Sequence, residues 1–152
     1  MQRRSDPSRL RQFAGALRAG SILHMYQPVA CKNKFHVLIA SMDDRSLGFI
    51  INSRPSPMIQ RQPDLLRRQV LMPKSAHPFM AHDSFIACHD TVLLPTRDEL
   101  IQGLVDRTVD HVGYVATSLH GPIATAAAVS PTIAQRDADL ISMAFRVPPG
   151  TI

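Results

Sequence analysis

Two apolar segments joined by a short polar turn constrain the fold of this chain more than any other feature. Residues 34–41 (KFHVLIAS) and 47–53 (LGFIINS) are rich in β-branched and large apolar side chains, and residues 42–46 (MDDRS) are typical of a turn. The pattern predicts an antiparallel hairpin. The two strand ends opposite the turn lie side by side, so we expect Lys34 and Ser53 to face each other across the sheet.

Further apolar runs predict more strands on both sides of this hairpin. They lie at residues 20–27, 69–73, 84–95 (with a bend near Asp90) and 109–115. Residues 54–68 contain three prolines, which cannot donate to a sheet ladder, so this segment is expected to be a long loop with room for one helical turn.

Helices are expected near both ends of the chain. Leu10, Phe13 and Leu17 lie at helical spacing in residues 8–19, and Gly20 is the expected end of that helix. Thr96 and Glu99 have the spacing of a capping box for a helix over residues 96–103. Two more helices are expected after Pro122 and from Ser130, which is followed by proline.

These elements predict an α+β fold, in which a small antiparallel β-barrel carries an N-terminal helix and C-terminal helices. Closing the sheet hides the edges that hairpins otherwise expose. A chain of 152 residues is the size of one ordinary domain. We assign residues 1–19 to a basic N-terminal helical arm, 20–146 to a single domain and 147–152 to a tail.

Positive charge is concentrated in the N-terminal arm and in one segment in the middle of the chain. Residues 1–19 and 54–74 each carry a net charge of +4. Such segments suit a polyanion such as nucleic acid, although basic segments are also found simply as solvated, flexible chain. The arginines of the second segment are the candidates for binding nucleic acid: Arg54, Arg61, Arg67 and Arg68.

The compartment and the cofactors are constrained mainly by what the sequence lacks. No segment approaches the roughly 18 to 20 apolar residues that span a bilayer, and no apolar signal region follows the N-terminal arginines. Cys31 and Cys88 are single thiols without CxxC spacing, which favours a reduced, cytoplasmic protein. Strand alternation separates the His, Asp and Cys side chains of residues 82–90, so we expect neither a metal site nor a cofactor.

The hairpin ends offer the clearest candidate for chemistry. An ammonium at Lys34 beside a hydroxyl at Ser53 is a plausible pair for binding phosphate and stabilising a transition state, and Lys32 and Arg54 flank the pair. His36 is a candidate base or acid; the alternative is a neutral histidine buried in the core. The other interpretation of the whole group is that these are ordinary polar strand ends.

The order of these segments resembles that of the MazF/PemK family of toxins. GSILHMY, then KNKFHVLIAS, LGFIINS and SFIACHDTVLLPTRDELIQGLV resemble successive segments of that family over residues 20–130. The resemblance implies an SH3-like barrel, a homodimer, and a metal-independent endoribonuclease that cuts single-stranded RNA and is blocked by an antitoxin. It places the family's arginine near Lys34 and its Thr or Ser on Ser53. The alternative is a non-catalytic relative that binds nucleic acid or protein.

Overall fold

The hairpin predicted from the apolar runs is the centre of the sheet. The computed structural model describes residues 7–146. Strand β1 (Ser21–Gln27) pairs with β2 (Lys32–Ser41), and β2 pairs with β3 (Ser46–Asn52), both in antiparallel orientation. Phe35 lies opposite Ile51, and a register shift between Leu38 and Ala40 bends the hairpin near its turn.

Four shorter strands extend this centre into one antiparallel sheet. They are β4 (Gln69–Met72), β5 (Ser84–Ala87), β6 (Val92–Leu94) and β7 (Asp110–Tyr114). The order is β4-β5-β3-β2-β1-β7, and β6 pairs with β3 beside β5. The sheet is curled into a half-barrel, with β4 and β7 at its two ends. The predicted α+β architecture is therefore confirmed in outline.

The helices lie before, within and after the strands. α1 (Pro7–Ala16) precedes the sheet, and two short helices, α2 (Pro57–Gln60) and α3 (Pro63–Leu66), lie in the proline-rich loop. α4 (Arg97–Asp106) begins with the predicted capping box: Glu99 N donates to Thr96 Oγ1, and Thr96 N donates to Glu99 Oε1, each at 3.2 Å. α5 (His120–Ala128) and α6 (Gln135–Ala144) follow the last strand.

Each face of the sheet is covered by a different set of helices. Leu17 after α1, together with Leu100 and Leu104 of α4, packs on the face that presents Leu23 and Leu38. The opposite face is covered by side chains of α5, α6 and the residues that follow each helix: Ile123, Ala127, Ile133, Ile141 and Phe145. The helices thus bury both faces around the hairpin and leave open the strand ends opposite its turn.

Several predicted boundaries were wrong, for local reasons. α1 ends at Ala16, and Gly20, with a φ of 90°, instead turns the chain into β1. α4 continues through Gly103 to Asp106, because this glycine provides space: a Cβ there would lie 2.6 Å from Val109 Cγ2. Ser130 does not begin α6, because its hydroxyl donates to the backbone oxygen of His89 at 2.6 Å.

Three further expectations from the sequence concern residues 84–95, the two ends of the chain and membrane-spanning helices. The strand expected over residues 84–95 is split into β5 and β6 by a turn at 88–90. The first six residues of the N-terminal arm and the tail at 147–152 lie outside the described residues. Among residues 7–146, no helix has the length and apolar character needed to cross a bilayer.

Candidate functional site

A pocket of about 340 Å³ opens at the strand ends opposite the hairpin turn. We call it the rim pocket. Strands β1, β2 and β3 and the loop before β5 all contribute to it, and its lining combines cationic, imidazole, hydroxyl and aromatic side chains. The lining residues are His24, Lys32, Asn33, Lys34, Phe35, Ile51, Ser53, Phe79, Met80, Ala81, His82 and Ser84.

Lys34 is held in place at the edge of this pocket. Its Nζ donates to Asn52 Oδ1 at 2.7 Å, across the β2–β3 pair. Burial lowers the pKa of Lys34, and the neighbouring charge of Lys32 lowers it further. The hydrogen bond orients the ammonium and reduces the side-chain freedom that a lysine ordinarily retains.

The predicted partnership between Lys34 and Ser53 needs a correction of one residue. Because Phe35 lies opposite Ile51, the antiparallel register places Asn52 opposite Lys34, and Asn52 accepts the ammonium hydrogen bond. Ser53 comes directly after β3, is exposed, and lines the rim pocket together with Lys34. The structure therefore brings both predicted residues to one pocket, without the direct pairing that we expected.

His36 lies in the core rather than in the site. It is 0% exposed, and its Nε2 lies 3.1 Å from Gln27 Nε2, an amide nitrogen that can only donate. Burial lowers the pKa of His36 to about 4, against smaller opposing effects of backbone hydrogen bonds. The imidazole is thus neutral near pH 7 and out of reach of a ligand in the rim pocket. The structure supports the core alternative for His36, not the catalytic one.

Two histidines that were not among the candidates do line the rim pocket. His24 on β1 is half-buried, with its ring centroid 4.5 Å from that of Phe35. His82 is exposed, and its Nδ1 lies 2.8 Å from the backbone oxygen of Asp83. A carbonyl oxygen only accepts hydrogen bonds, so His82 Nδ1 is the donor in this contact. His24 could have been identified only from its position opposite Phe35, and that position is known only once the pairing of β1 with β2 is known.

The basic segment contributes less to the pocket than its charge suggested. Lys32, which precedes that segment, lines the rim pocket. The four arginines of the segment do not line it: Arg54, Arg61, Arg67 and Arg68. Arg67 forms an ion pair with Asp64, and Arg68 Nη1 donates to the backbone oxygen of Ala126 at 3.4 Å. Arg54 and Arg61 are exposed. The positive charge of the rim pocket therefore comes from Lys32 and Lys34.

A smaller cavity of about 260 Å³ also includes Lys34. Asn52, His89 and Asp90 supply its polar wall, and apolar side chains such as Ile50 and Val92 supply most of the rest. Burial lowers the pKa of His89, and its Nδ1 is 2.9 Å from Gln69 Nε2. Lys34 thus lines both this cavity and the rim pocket.

Other reactive residue types are dispersed. Within residues 7–146, no group of three or more His, Cys, Asp and Glu side chains is arranged to hold a metal ion. Cys88 is buried, and burial raises the pKa of its thiol, whereas Cys31 is exposed in the turn between β1 and β2. The rim pocket brings lysine, imidazole and hydroxyl side chains together, and each of these can contact a phosphate oxygen.

Comparison with protein families and with curated proteins finds no match to this chain.

Proposed function

We propose that the protein binds single-stranded RNA in the rim pocket and cleaves it by attack of a ribose 2′-hydroxyl on the adjacent phosphorus. The observation that carries this proposal is the convergence of two imidazoles, His24 and His82, with the ammonium groups of Lys32 and Lys34 in one pocket. Cationic side chains hold phosphate, and imidazole is the side chain that both takes and gives protons near neutral pH.

The reaction balances with these groups alone. One imidazole takes the proton of the 2′-hydroxyl as its oxygen bonds to phosphorus, and the other gives a proton to the departing 5′-oxygen. The products are a strand with a 2′,3′-cyclic phosphate and a strand with a free 5′-hydroxyl. The Lys34 ammonium, oriented by Asn52, stabilises the charge that develops on the phosphorane oxygens. Ser53 supplies a hydroxyl in the same pocket for a phosphate oxygen.

We also propose the wider biology that the family resemblance implies. The curled sheet is then an SH3-like barrel, and the protein acts in the cytoplasm as a toxin-like homodimer that an antitoxin restrains. The order of segments over residues 20–130 supports this proposal. The predicted basic residues outside the pocket, Arg54, Arg61, Arg67 and Arg68, would extend the contact with RNA only beyond the cleavage site.

Binding without cleavage is the second candidate. It is favoured by the burial of His36 and by a lysine, which lacks the guanidinium fork, where the family resemblance places an arginine. In this version the lysines of the rim pocket bind the phosphates of a nucleic-acid strand or the carboxylates of an acidic protein partner, and no substrate is cleaved.

A cleavage assay with matched histidine variants tests the proposal. Single-stranded RNA of mixed sequence is incubated in EDTA with the wild type, His24→Gln and His82→Gln, and with the control His111→Gln, whose side chain lies outside the rim pocket on β7. General acid–base groups contribute about 10²- to 10⁴-fold, so each pocket variant should lose at least about 100-fold in rate. The control should keep the wild-type rate.

The outcomes separate the two candidates. Folding of each variant is checked by circular dichroism and thermal denaturation. Salt-sensitive binding of intact RNA by the folded wild type, without products, would favour the binding candidate. Cleavage that survives in both pocket variants would refute the assignment of the two imidazoles.

A further inference from the structure

Phe79 is an exposed aromatic residue in an otherwise anchored loop. Its side chain lines the rim pocket and the residue is 39% exposed, whereas His77 and Met80 on either side are 0% and 4% exposed. Other large apolar side chains of the described residues are more exposed, such as Leu93 at 59% and Met143 at 72%, so exposure alone does not distinguish Phe79. What distinguishes it is its place: among these exposed side chains, Phe79 is the one that lines the rim pocket.

The loop is fixed on both sides of Phe79. His77 Nδ1 donates to the backbone oxygen of Pro73 at 2.8 Å, and His77 Nε2 accepts from the backbone nitrogen of Ala116 at 3.0 Å. Lys74 Nζ donates to the backbone oxygen of Met80 at 2.8 Å. The backbone that carries the ring is therefore pre-organised, which lowers the entropic cost of using the ring to bind a ligand.

The Phe79 ring packs against His77 and Gly113. It meets the His77 ring edge to face, with centroids 5.8 Å apart and an interplanar angle of 88°. It also lies directly on Gly113 of β7, where a Cβ atom would come within 2.5 Å of Phe79 Cε1. Gly113 thus leaves the space that lets the ring lie against the sheet edge.

Phe79 shares the pocket with groups that suit the other parts of a nucleotide. His24 and Phe35 supply further ring surface, and Lys32 and Lys34 supply positive charge. An aromatic face beside cationic groups is the combination by which proteins hold single-stranded nucleic acid, because every base has a flat face to stack.

We propose that Phe79 is a stacking platform for one unpaired nucleobase of the bound strand. This inference rests on the proposed function, since it assigns the base of a nucleotide whose phosphate the pocket lysines hold. It implies that the preferred substrate is unpaired at the site, because a base within a duplex is already stacked and paired.

Affinities of two proteins for strands with and without nucleobases isolate the contact between Phe79 and a base. Affinities of the wild type and Phe79→Leu are measured for a 2′-O-methylated oligonucleotide, which cannot be cleaved by its own 2′-oxygen, and for an abasic strand with the same number of phosphates. Stacking on one aromatic ring is worth about 5- to 150-fold in affinity. Phe79→Leu should lose that factor for the base-bearing strand and bind the abasic strand as the wild type does.

A fluorescence variant provides an independent measurement. The chain contains no tryptophan, so Phe79→Trp introduces a single reporter. Its emission should be quenched by the base-bearing strand and not by the abasic one, whereas Leu93→Trp, at an exposed position on β6, should respond to neither strand. Gly113→Ala should weaken only binding of the base-bearing strand, by displacing the Phe79 ring.

The results distinguish failure of this inference from failure of the proposed function. If RNA is cleaved in EDTA but Phe79→Leu binds the base-bearing strand as tightly as the wild type does, the platform is refuted and the proposed function stands. If the folded wild type binds neither strand and cleaves no RNA, both are refuted.

Discussion

His36 makes the stability of the central hairpin depend on pH, although it takes no part in the site. Its ring is completely buried on β2, two residues from Lys34, and burial lowers the pKa of His36 from the usual 6.5 to about 4. In the unfolded chain the same imidazole is solvated. Between these two values the unfolded state binds the proton and the folded state does not, so stability falls as the pH is lowered.

The size of the effect follows from the two pKa values. The stability contribution of the neutral buried imidazole is fully present above pH 6.5 and is lost as the pH falls toward 4. Linkage gives a loss of about 2 kcal/mol at pH 5 and about 3 kcal/mol at pH 4, relative to neutral pH. Burial also lowers the pKa values of His89, His111 and His120, which act in the same direction.

Comparison with His36→Gln isolates the contribution of His36. Glutamine keeps an acceptor for the Gln27 amide and does not titrate, while the other histidines remain in both proteins. The free energy of unfolding is measured by urea denaturation at pH 7.5 and pH 5. The wild type should lose about 2 kcal/mol more than the variant between these values. Leu38→Val on the same strand, which lowers stability without removing an imidazole, should keep the wild-type pH dependence. Equal losses in the wild type and His36→Gln would refute the reasoning.

Three further predictions concern the free energy of unfolding measured by urea denaturation at neutral pH. His77→Leu should cost about 2–4 kcal/mol, because it leaves two backbone partners of the buried ring unpaired; an unchanged value would show that the loop is not held there. Gly48→Ala should cost about 1–3 kcal/mol, since its Cβ would lie 2.8 Å from the backbone oxygen of Val37, and a neutral effect would contradict this close approach. Gly15→Ala is the matched control: beyond its chain neighbours and the backbone of its own helix, no atom lies within 4 Å of a Cβ placed at Gly15. Stability should therefore rise by up to about 1 kcal/mol, and a loss would contradict the helical assignment of α1.

Local signals in the sequence were sufficient for the elements that depend on local chemistry. The hairpin of β2 and β3 follows from two apolar runs around a polar turn, and the start of α4 follows from Thr96 and Glu99. Predicted helix boundaries were wrong where a tertiary contact overrode the local preference of the sequence. Ser130 has the sequence of a helix cap, yet its hydroxyl bonds to the chain at His89, forty-one residues away.

The site was only partly predictable because its parts come from four segments. Lys34 and Ser53 were identified from the ends of one hairpin, but the register that gives Asn52 to Lys34 depends on how β2 and β3 align residue by residue. His24 and Phe79 enter the pocket from β1 and from the loop before β5. Nothing within either segment signals that it approaches the hairpin ends, because strand pairing and loop anchoring are non-local.

The chemical form of the RNA ends tests the central claim most directly. Single-stranded RNA is incubated with the wild type in EDTA, and the fragments are identified by mass spectrometry. We predict 2′,3′-cyclic phosphates paired with free 5′-hydroxyls, formed at least about 100-fold more slowly by His82→Gln. Intact RNA after incubation with folded wild-type protein, or fragments that carry 5′-phosphates, would contradict the account.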